Sequence, residues 1–298
     1  MENHRLCYKQ FLFLPGSGLT ANSPRSKAAQ SSVAVSVARS DMMKIGAVST
    51  DEVKQDFVTL NIMEYSVAKK SWSMIPGFST FLIERDSFGS GTFRSAFRAK
   101  QLGKAIEGTL FVAKRFRDSA LGIVTEKGKL SKEDAMKKHI QMHMYARNYI
   151  KLLKSEAPTE YGQHFSMGKA YLATTTKGEP LFLEPMINSE GKFDKYVNNN
   201  GVLYPVLGQN EEERERQAKA ETLCHYSYCR SGKHSMVIDI QGCGYSITDP
   251  EVATMQHTDA SDNKLFCGGN LRSKAINAFM MNHECSEYCR MLKLSDSF

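Results

Sequence analysis

The sequence has no apolar run that approaches the roughly 20 residues of a membrane helix, so we expect no membrane partner. The apolar stretch nearest the start, Phe11–Leu14, stops at Pro15 and Gly16. A secretory signal needs a longer apolar region than this. We therefore expect no secretion and predict a cytoplasmic location.

Composition disfavours both a disulfide framework and a nucleic-acid surface. The chain has seven cysteines, an odd number that cannot all pair, and without a secretion signal free thiols or metal ligands are favoured. The net charge is +7, but six basic and two acidic side chains place +4 of it in residues 1–50. The small remainder does not make a basic surface, so we expect no nucleic-acid partner.

Two segments differ in character. Residues 1–50 are rich in Ser, Ala, Gly and Arg and lack aromatics after Phe13, which predicts a disordered tail. An Arg- and Ser-rich start with few acids also fits a transit peptide, and that alternative stays open. Residues 51–298 carry strand-like and helical patterns and form the predicted domain.

A glycine turn lies between two strand-like runs. Thr80–Ile83 precedes Gly89 and Gly91, and Arg94 leads into Ala96–Ala99. Glycines let backbone N–H groups approach a phosphate closely. A dinucleotide fingerprint needs a helix directly after the turn, so this order favours a flap over nucleotide phosphates. Taken alone, however, such triplets are more often plain turns.

Lys114 lies in the clearest strand pattern, Thr109–Phe116, where β-branched and aromatic residues surround it. A lysine among residues of buried type is costly unless its ammonium group meets an anion. It follows Gly91 by 23 residues, which suits a grip on the α- and β-phosphates beneath the flap. The alternative is an edge-strand lysine that reaches solvent.

Residues 131–154 show the clearest helical pattern. Ser131-x-x-Asp134 resembles a capping box, and apolar residues recur every fourth position at Met136, Ile140 and Met144. We interpret His139 and His143 as surface or capping residues. Further strands are predicted at 170–173 and 180–187, and a polar turn at 192–201. A charged helix start is predicted at 211–220, leading toward His225, and a helix at 274–294.

Acidic and amide side chains collect where the strand-like run Ser235–Ile240 ends. Asp239 and Gln241 are two residues apart, so on a strand they point to the same face, and Asp249 returns after a glycine turn. Mg²⁺ prefers hard oxygen ligands that it shares with phosphates, which predicts a magnesium site here. The alternative for Asp249 is a turn cap before Pro250.

Sulfur and imidazole ligands come together near the end of the chain in His283-x-Cys285-x-x-x-Cys289. On one helix the two cysteines would lie one turn apart on the same face. A closed tetrahedral zinc site needs a fourth ligand, for which we choose His225, with Cys224 as its rival. Such a zinc would be structural, and the alternative is a pair of core thiols.

These segments resemble, in their order, the alpha-kinases, a family of atypical protein serine/threonine kinases. The resemblance covers about residues 71–294 and rests on FGSGTFRSAF, FVAKRF, LEPMI, FDKYVNNNG, HYSY, VIDIQGCGYSITDP, GGNL and HECSEYC. It implies an α+β, two-lobed protein-kinase-like fold, with a strand-rich N-lobe at about 51–183 and a mixed C-lobe at about 184–298. The H-R-D and D-F-G tripeptides of ordinary protein kinases are absent.

The resemblance also implies roles for individual residues. The catalytic residues would be Asp239 and Lys114, and the Mg²⁺ ligands Gln241 and Asp249. Adenine would be held largely through backbone groups of Glu184 and Met186. The ATP-binding set would comprise Gly89, Gly91, Arg94, Lys114, Glu184, Met186, Lys195 and Asn199. The zinc ligands would be His225, His283, Cys285 and Cys289.

One motif departs from the family pattern. The family usually has a Gly-x-(Ala or Gly)-x-x-Gly loop that is thought to receive the peptide substrate. Here Cys267 and Arg272 stand at the outer glycine positions, and Gly268 and Gly269 remain as candidate substrate-loop residues.

The implied function is transfer of the γ-phosphate of MgATP to Ser or Thr of a protein substrate, with ATP, Mg²⁺ and structural Zn²⁺ as cofactors. The alternative is a pseudokinase that binds a nucleotide or a partner. The oligomeric state is left open.

Overall fold

The structure is a computed structural model that describes residues 54–77, 79–102, 110–125, 129–187, 191–204, 210–256, 266 and 270–294. The predicted tail, Gly268 and Gly269 lie outside the described residues. Within the described ranges, no helix combines the length and the apolar character that a membrane crossing requires.

The longest strands precede the longest helix, and shorter strands alternate with helices after it. The strands are β1 (Gln55–Ser66), β2 (Ser71–Met74), β3 (Ser79–Glu84), β4 (Gly89–Ser90), β5 (Arg94–Leu102), β6 (Leu110–Phe116), β7 (Ser166–Met167), β8 (Tyr171–Thr175), β9 (Pro180–Pro185), β10 (Phe193–Lys195), β11 (Ser235–Ile238), β12 (Gln241–Cys243), β13 (Ser246–Ile247) and β14 (Glu251–Thr254). The helices are α1 (Asp118–Val124), α2 (Lys132–Glu156), α3 (Glu211–Arg230), α4 (Ser273–Asn282) and α5 (Glu287–Met291), with a 3-10 turn at Thr159–Tyr161.

An eight-stranded antiparallel sheet forms the first part of the domain. β1 pairs along both edges, through Gln55–Leu60 with β3 and through Leu60–Glu64 with β8. The order β1-β3-β5-β6-β9-β8 therefore returns to β1, and the sheet closes on itself. Alternate residues of a strand share a face. Those on the enclosed face form one apolar cluster: Leu60, Ile62, Phe81, Ile83, Ala99, Ala113, Ala173, Leu181 and Leu183.

Helix α2 packs on the opposite face of this sheet. Its start agrees with the sequence pattern, because the Ser131 side chain caps it by accepting a 3.0 Å hydrogen bond from the Asp134 N–H. A cap of this kind is worth about 1 kcal/mol. The predicted apolar stripe is buried together with residues of β1, β8 and β9, namely Met136, Ile140 and Met144 with Tyr65, Leu172 and Phe182.

The second half of α2 belongs to a different core. Ala146, Ile150 and Leu153 pack there with residues of α3, β11 and α4. The small sheet β10-β12-β13-β7 and the pair β11–β14 complete this part of the domain. One helix thus contributes to both cores and fixes the sheet against the later elements.

Two sequence predictions need correction. The strand predicted at 235–240 ends at Ile238, because Asp239 adopts a left-handed φ of 57° that turns the chain. The helix start predicted at 211–220 is confirmed, and that helix continues past His225 to Arg230. The helix predicted at 274–294 is two helices, since α4 ends at Asn282 and α5 begins at Glu287.

One cysteine departs from the expectation of free thiols and metal ligands. Cys243, on β12, is disulfide-bonded.

Lys219 of α3 is an unusual component of the second core, because its side chain is fully buried. Its Nζ forms an ion pair with Glu215 Oε1 at 2.5 Å and donates to the Gln163 carbonyl at 2.8 Å. Three aromatic rings surround the ammonium group at 4.9 to 5.4 Å from their centroids, those of Tyr161, Tyr245 and Tyr288. The charge therefore joins α3 to three other segments through cation–π contacts.

We expect Lys219→Met to lower the free energy of unfolding by about 2–4 kcal/mol, because a buried ion pair loses one partner and the cation–π contacts vanish. The lower end of that range is favoured because the Glu215 side chain keeps 32% exposure and can turn to water. Urea denaturation measures the change. Lys137→Met is the control, since that lysine forms a partly exposed pair with Glu133 of the same helix, a kind of pair worth about 0.5 kcal/mol. A loss below about 1 kcal/mol for the Lys219 variant would contradict the assigned role.

Candidate active site

Lys114 lies on β6 opposite Phe182 of β9, on the side of the sheet that α2 covers. Its side chain is only 6% exposed. The Nζ atom is 2.7 Å from Glu184 Oε1 and 3.3 Å from Asp249 Oδ1. The buried lysine therefore meets anions, as the strand pattern requires, and in this structure the anions are two carboxylates.

The glycine turn is a hairpin that delivers Arg94 to the same place. Gly89 of β4 pairs with Ala96 of β5, and the Gly91 N–H donates to the Arg94 carbonyl at 2.8 Å. The Arg94 Nη2 atom lies 2.5 Å from Asp249 Oδ1. A strand–turn–strand layout is thus confirmed, and it brings a second cation to the carboxylate that Lys114 contacts.

The Phe182 ring supports both cations. The Arg94 guanidinium carbon lies 4.8 Å and the Lys114 Nζ 5.3 Å from its centroid. The face of an aromatic ring attracts a cation, more so where water is excluded. Two positive groups beside one ring form a site that suits a polyanion such as the phosphates of a nucleotide.

The acidic side of the site lies on the β11–β12 and β13–β14 connections. Asp239 and Asp249 have φ angles of 57° and 52°, a left-handed conformation that costs about 1–3 kcal/mol and is concentrated at functional sites. Despite the turn at Asp239, the Gln241 Nε2 lies 3.2 Å from Asp239 Oδ2 and 3.4 Å from the Asp249 carbonyl oxygen. The structure thus brings together the three residues of the predicted magnesium cluster.

Gln241 has the features of a metal ligand. Its side chain is buried, and its Oε1 atom has no hydrogen-bond partner among the described residues. A buried amide oxygen without a partner is uncommon, and Mg²⁺ accepts such oxygens together with carboxylates. The next residue must be glycine, because a Cβ on Gly242 would lie 2.1 Å from the Ser246 carbonyl oxygen. The donors present therefore fit Mg²⁺.

The two aspartates differ in protonation behaviour. Burial raises the pKa of Asp239 to about 6, although Lys195 at 2.7 Å from its Oδ1 opposes the shift. Burial also acts to raise the pKa of Asp249, but Arg94 and Lys114 outweigh it and hold that pKa below its usual range. Neighbouring carboxyls with pKa values driven apart are typical of sites where one exchanges a proton and the other stays charged.

The residues predicted to face adenine make these contacts within the protein. The Glu184 carboxylate, and not only its backbone, reaches the site, where it contacts Lys114 and accepts a 3.0 Å hydrogen bond from Thr248 Oγ1. The Met186 N–H donates to the Leu110 carbonyl at 2.8 Å and is thus used by the sheet. Asn199 lies in the turn after β10, where its N–H donates to the Asn198 side chain.

Two histidines of α2 lie beside these groups, and our expectation that they are surface or capping residues is wrong. His139 and His143 are each 2% exposed. His143 contacts Glu184 and Phe182, and His139 lies against the rings of Phe93 and Phe116. The sequence held the signal, because these histidines follow Met136 and Ile140 by three residues and so share their helix face.

A separate cluster brings the four predicted zinc ligands together. One donor atom from each of them lies within 4.8 Å of the others, and the residues are His225, His283, Cys285 and Cys289. His225 comes from α3 and Cys289 from α5, whereas Cys285 precedes α5. The expected helical spacing of the two cysteines is therefore wrong, although their convergence does not depend on it.

The cluster has the dimensions of a tetrahedral zinc site. His225 Nδ1 lies 3.5 Å from Cys285 Sγ, and His283 Nε2 lies 3.5 Å from Cys289 Sγ. Zinc bonds of about 2.0 Å to nitrogen and about 2.3 Å to sulfur put such atoms about 3.5 Å apart at the tetrahedral angle. The other ring nitrogen of His283 lies 3.1 Å from Glu221 Oε2, an arrangement that commonly orients a metal-binding imidazole.

Cys289 is also poised to be a thiolate. Burial acts to raise the pKa of its thiol, but contacts with His225, His283 and Thr222 lower it to about 5. The thiolate, not the thiol, is the form that binds a metal.

Arg272, predicted to stand at an outer glycine position of the substrate loop, is exposed and occupies the N-cap position of α4 with φ 58° and ψ −150°. This backbone conformation is one that glycine adopts readily and other residues adopt at a cost. The chain thus keeps the glycine-like backbone here while presenting a long basic side chain.

Structural comparison defines the class of the domain as a mixed α/β kinase-like fold. The chain resembles the alpha-kinase domain of myosin heavy chain kinase A in complex with ADP, with a TM-score of 0.64, 21% identity, and coverage of 82% of this chain and 99% of that one. An inactive form of the same domain in complex with ATP gives a TM-score of 0.62 at 19% identity, with coverage of 81% and 100%.

A model of the alpha-kinase family matches residues 89–289, and the chain belongs to this family. Curated relatives include alpha-protein kinase 1 of Dictyostelium discoideum, 29% identical over 72% of this chain, and eukaryotic elongation factor 2 kinase of Caenorhabditis elegans, 27% identical over 78%. The matched region spans only 14% and 27% of those two proteins.

Proposed function

We propose that this protein is a kinase that transfers the γ-phosphoryl group of MgATP to a serine or threonine of a protein substrate. The observation that carries the proposal is the meeting of Lys114 with Asp249 at 3.3 Å, which puts the lysine-bearing sheet and the acidic turns in one site. Membership of the alpha-kinase family supports the same reaction class. Two lobes, at about 51–183 and 184–298, and a cytoplasmic location remain part of the proposal.

In the proposed reaction Lys114 and Arg94 offset the charge of the phosphates, a task that needs positioning more than covalent chemistry. Asp239 orients the substrate hydroxyl and accepts its proton as the new O–P bond forms and the bond from the γ-phosphorus to ADP breaks. Gln241 and Asp249 would hold Mg²⁺, which when bound neutralises phosphate charge. Lys195, beside Asp239, keeps the carboxylate in place.

We further propose that His225, His283, Cys285 and Cys289 hold one structural zinc ion. The support is the donor set and its 3.5 Å nitrogen–sulfur spacings. Four protein ligands leave no open position, so this metal would stabilise the fold and take no part in the reaction.

The Lys114→Met variant tests the proposed kinase. We expect label transfer from γ-labelled ATP to a generic basic protein to fall by about 10²–10³, because a group that stabilises the transferring phosphoryl is lost. Phosphoamino acid analysis of the product identifies serine and threonine as acceptors.

Lys100→Met is the control, because Lys100 lies on the neighbouring strand β5 and is exposed. It should transfer phosphate at the rate of the unaltered protein. An unaltered protein that binds ATP and transfers nothing would instead support the pseudokinase.

A further inference from the structure

His143 lies on the face of α2 that packs against the sheet, and it is buried there. It contacts residues of the site but has none of the roles assigned above. Its Nε2 atom lies 2.9 Å from the Gly168 carbonyl oxygen. Its Nδ1 atom lies 3.9 Å from Glu184 Oε2, and its ring meets Phe182 edge-on with centroids 5.3 Å apart. The side chain is only 2% exposed, so these neighbours replace water around it.

The contact with Gly168 decides which ring nitrogen carries the proton. A carbonyl oxygen can only accept, so Nε2 must donate, and the neutral ring then has no proton on Nδ1. Burial lowers the pKa of His143, against the opposing effect of Glu184, which favours this neutral form. An imidazole without a proton on Nδ1 does not compete with Lys114 for the Glu184 carboxylate.

Gly168 itself is fixed next to Glu184. Its backbone packs so closely on Pro185 that an added Cβ would lie 3.2 Å from the proline Cδ. The anchor of His143 and the residue after Glu184 are therefore in contact. The ring is held at one edge by this segment and packs at another against β9.

Both β9 residues that His143 contacts are the ones that hold the two cations. Glu184 binds Lys114 at 2.7 Å, and Phe182 lies beneath Lys114 and Arg94. A buried ion pair is stable only where its geometry is well fixed by further contacts. A shift of the His143 ring would therefore displace both Glu184 and Phe182.

We propose that His143 is a positioning residue of the nucleotide site: anchored to Gly168, it keeps Glu184 and Phe182 where they hold Lys114 and Arg94. It touches neither nucleotide nor substrate. The inference rests on the proposed function where it takes Lys114 as the phosphate-binding lysine. Its structural part, the control of the Lys114–Glu184 pair, stands apart from that function.

Three variants of the full chain separate anchoring from packing. His143→Phe keeps an aromatic ring against Phe182 but loses the hydrogen bond to Gly168. His143→Gln places an amide N–H where Nε2 stood and keeps that bond. His139→Phe is the matched control, because it makes the same change on the same helix face at the same burial.

The first readout does not depend on catalysis and measures how fast an amine-acylating reagent modifies Lys114, followed by peptide mass spectrometry. We expect His143→Phe to accelerate it by about 3- to 30-fold, the range that one lost hydrogen bond supports. His143→Gln and His139→Phe should both stay within about threefold of the unaltered chain. The second readout is nitrogen NMR of the histidines, which should report a neutral His143 with its proton on Nε2.

The third readout is steady-state kinetics. We expect His143→Phe to raise the KM for ATP by about 3- to 30-fold with kcat changed less than about threefold, and His143→Gln to restore KM. A purely structural role would lower the melting temperature and leave KM unchanged. Should His143→Phe not fold, the glutamine variant and the NMR result still decide.

Equal effects of His139→Phe and His143→Phe would assign the change to helix packing and overturn the proposal. A proton on Nδ1, unchanged acylation in His143→Phe, or no rescue by His143→Gln would overturn it as well. If the unaltered chain transfers no phosphate while the acylation and NMR results are as expected, the proposed function fails and the positioning role stands.

Discussion

Asp239→Asn protein is expected to be folded and to have lost phosphoryl transfer by about 10²–10⁴-fold. The reason is that asparagine keeps the size of the side chain but cannot accept the proton of the substrate hydroxyl. Radiolabel transfer to a protein substrate, measured at saturating ATP, gives the rate. Binding of a fluorescent ATP analogue is expected to change little, because Lys114, Arg94 and Asp249 remain.

The same variant should not be destabilised. A buried carboxylate is costly to keep ionised, and the amide removes that cost. Lys195 loses the charge of Asp239, but its side chain is 17% exposed and its flexible stem can turn the ammonium group towards water. Thermal denaturation is therefore expected to give an unchanged or higher Tm.

Asp56→Asn is the matched control for Asp239→Asn. Asp56 lies on β1 and pairs at the surface with Arg85, with 52% of its side chain exposed. It should leave phosphoryl transfer unaltered. Near-normal turnover in Asp239→Asn would show that another group accepts the proton and would remove Asp239 from the catalytic role.

The sequence predicted local structure well wherever one short-range pattern decides it. Helix α2 starts at the serine cap because a side-chain oxygen satisfies a free N–H of the first turn, a contact that spans only three residues. Its Met136–Ile140–Met144 stripe is buried because a period near four repeats one helix face. Strand β6 follows equally from its own β-branched and aromatic residues.

The sequence did not predict the two places where a strand or helix pattern continues but the strand or helix itself ends at site residues. Asp239 continues a strand pattern, yet its left-handed φ turns the chain so that Gln241 begins a new strand. Residues 283–286 continue a helical pattern, but they form an extended break between α4 and α5 that points His283 and Cys285 at the cluster. In both places long-range contacts outweigh local propensity.

The sequence also did not predict which side chains on neighbouring strands form ion pairs. Lys114 was expected to need an anion, but Glu184 was assigned to adenine, largely through its backbone. The pairing of Val112 with Glu184 places that side chain next to Lys114 on the same face, and such registers join residues 70 positions apart. The two α2 histidines were missed for a different reason. Their spacing places them on the buried face of the helix, but because histidine is polar they were assigned to the surface.

The second large effect is expected at the four-ligand cluster, where Cys289→Ala should abolish zinc binding and unfold the surrounding region. The cluster links α3, the segment after α4, and α5, so losing the metal would release all three. Structural zinc contributes about 10–16 kcal/mol in small finger peptides, which is comparable to the whole stability of a typical domain, about 5–15 kcal/mol. Elemental analysis of the purified protein and circular dichroism on heating measure the two consequences.

Cys229→Ala is the matched control, because Cys229 is a half-buried free cysteine of α3 outside the cluster. It should retain one zinc ion per chain and a normal melting curve. Cys289→Ala protein that folds with its zinc intact would show that the remaining three ligands suffice. Unaltered protein that folds without zinc would refute the metal site, and the short nitrogen–sulfur distances would then be hydrogen bonds between the cysteine and histidine side chains.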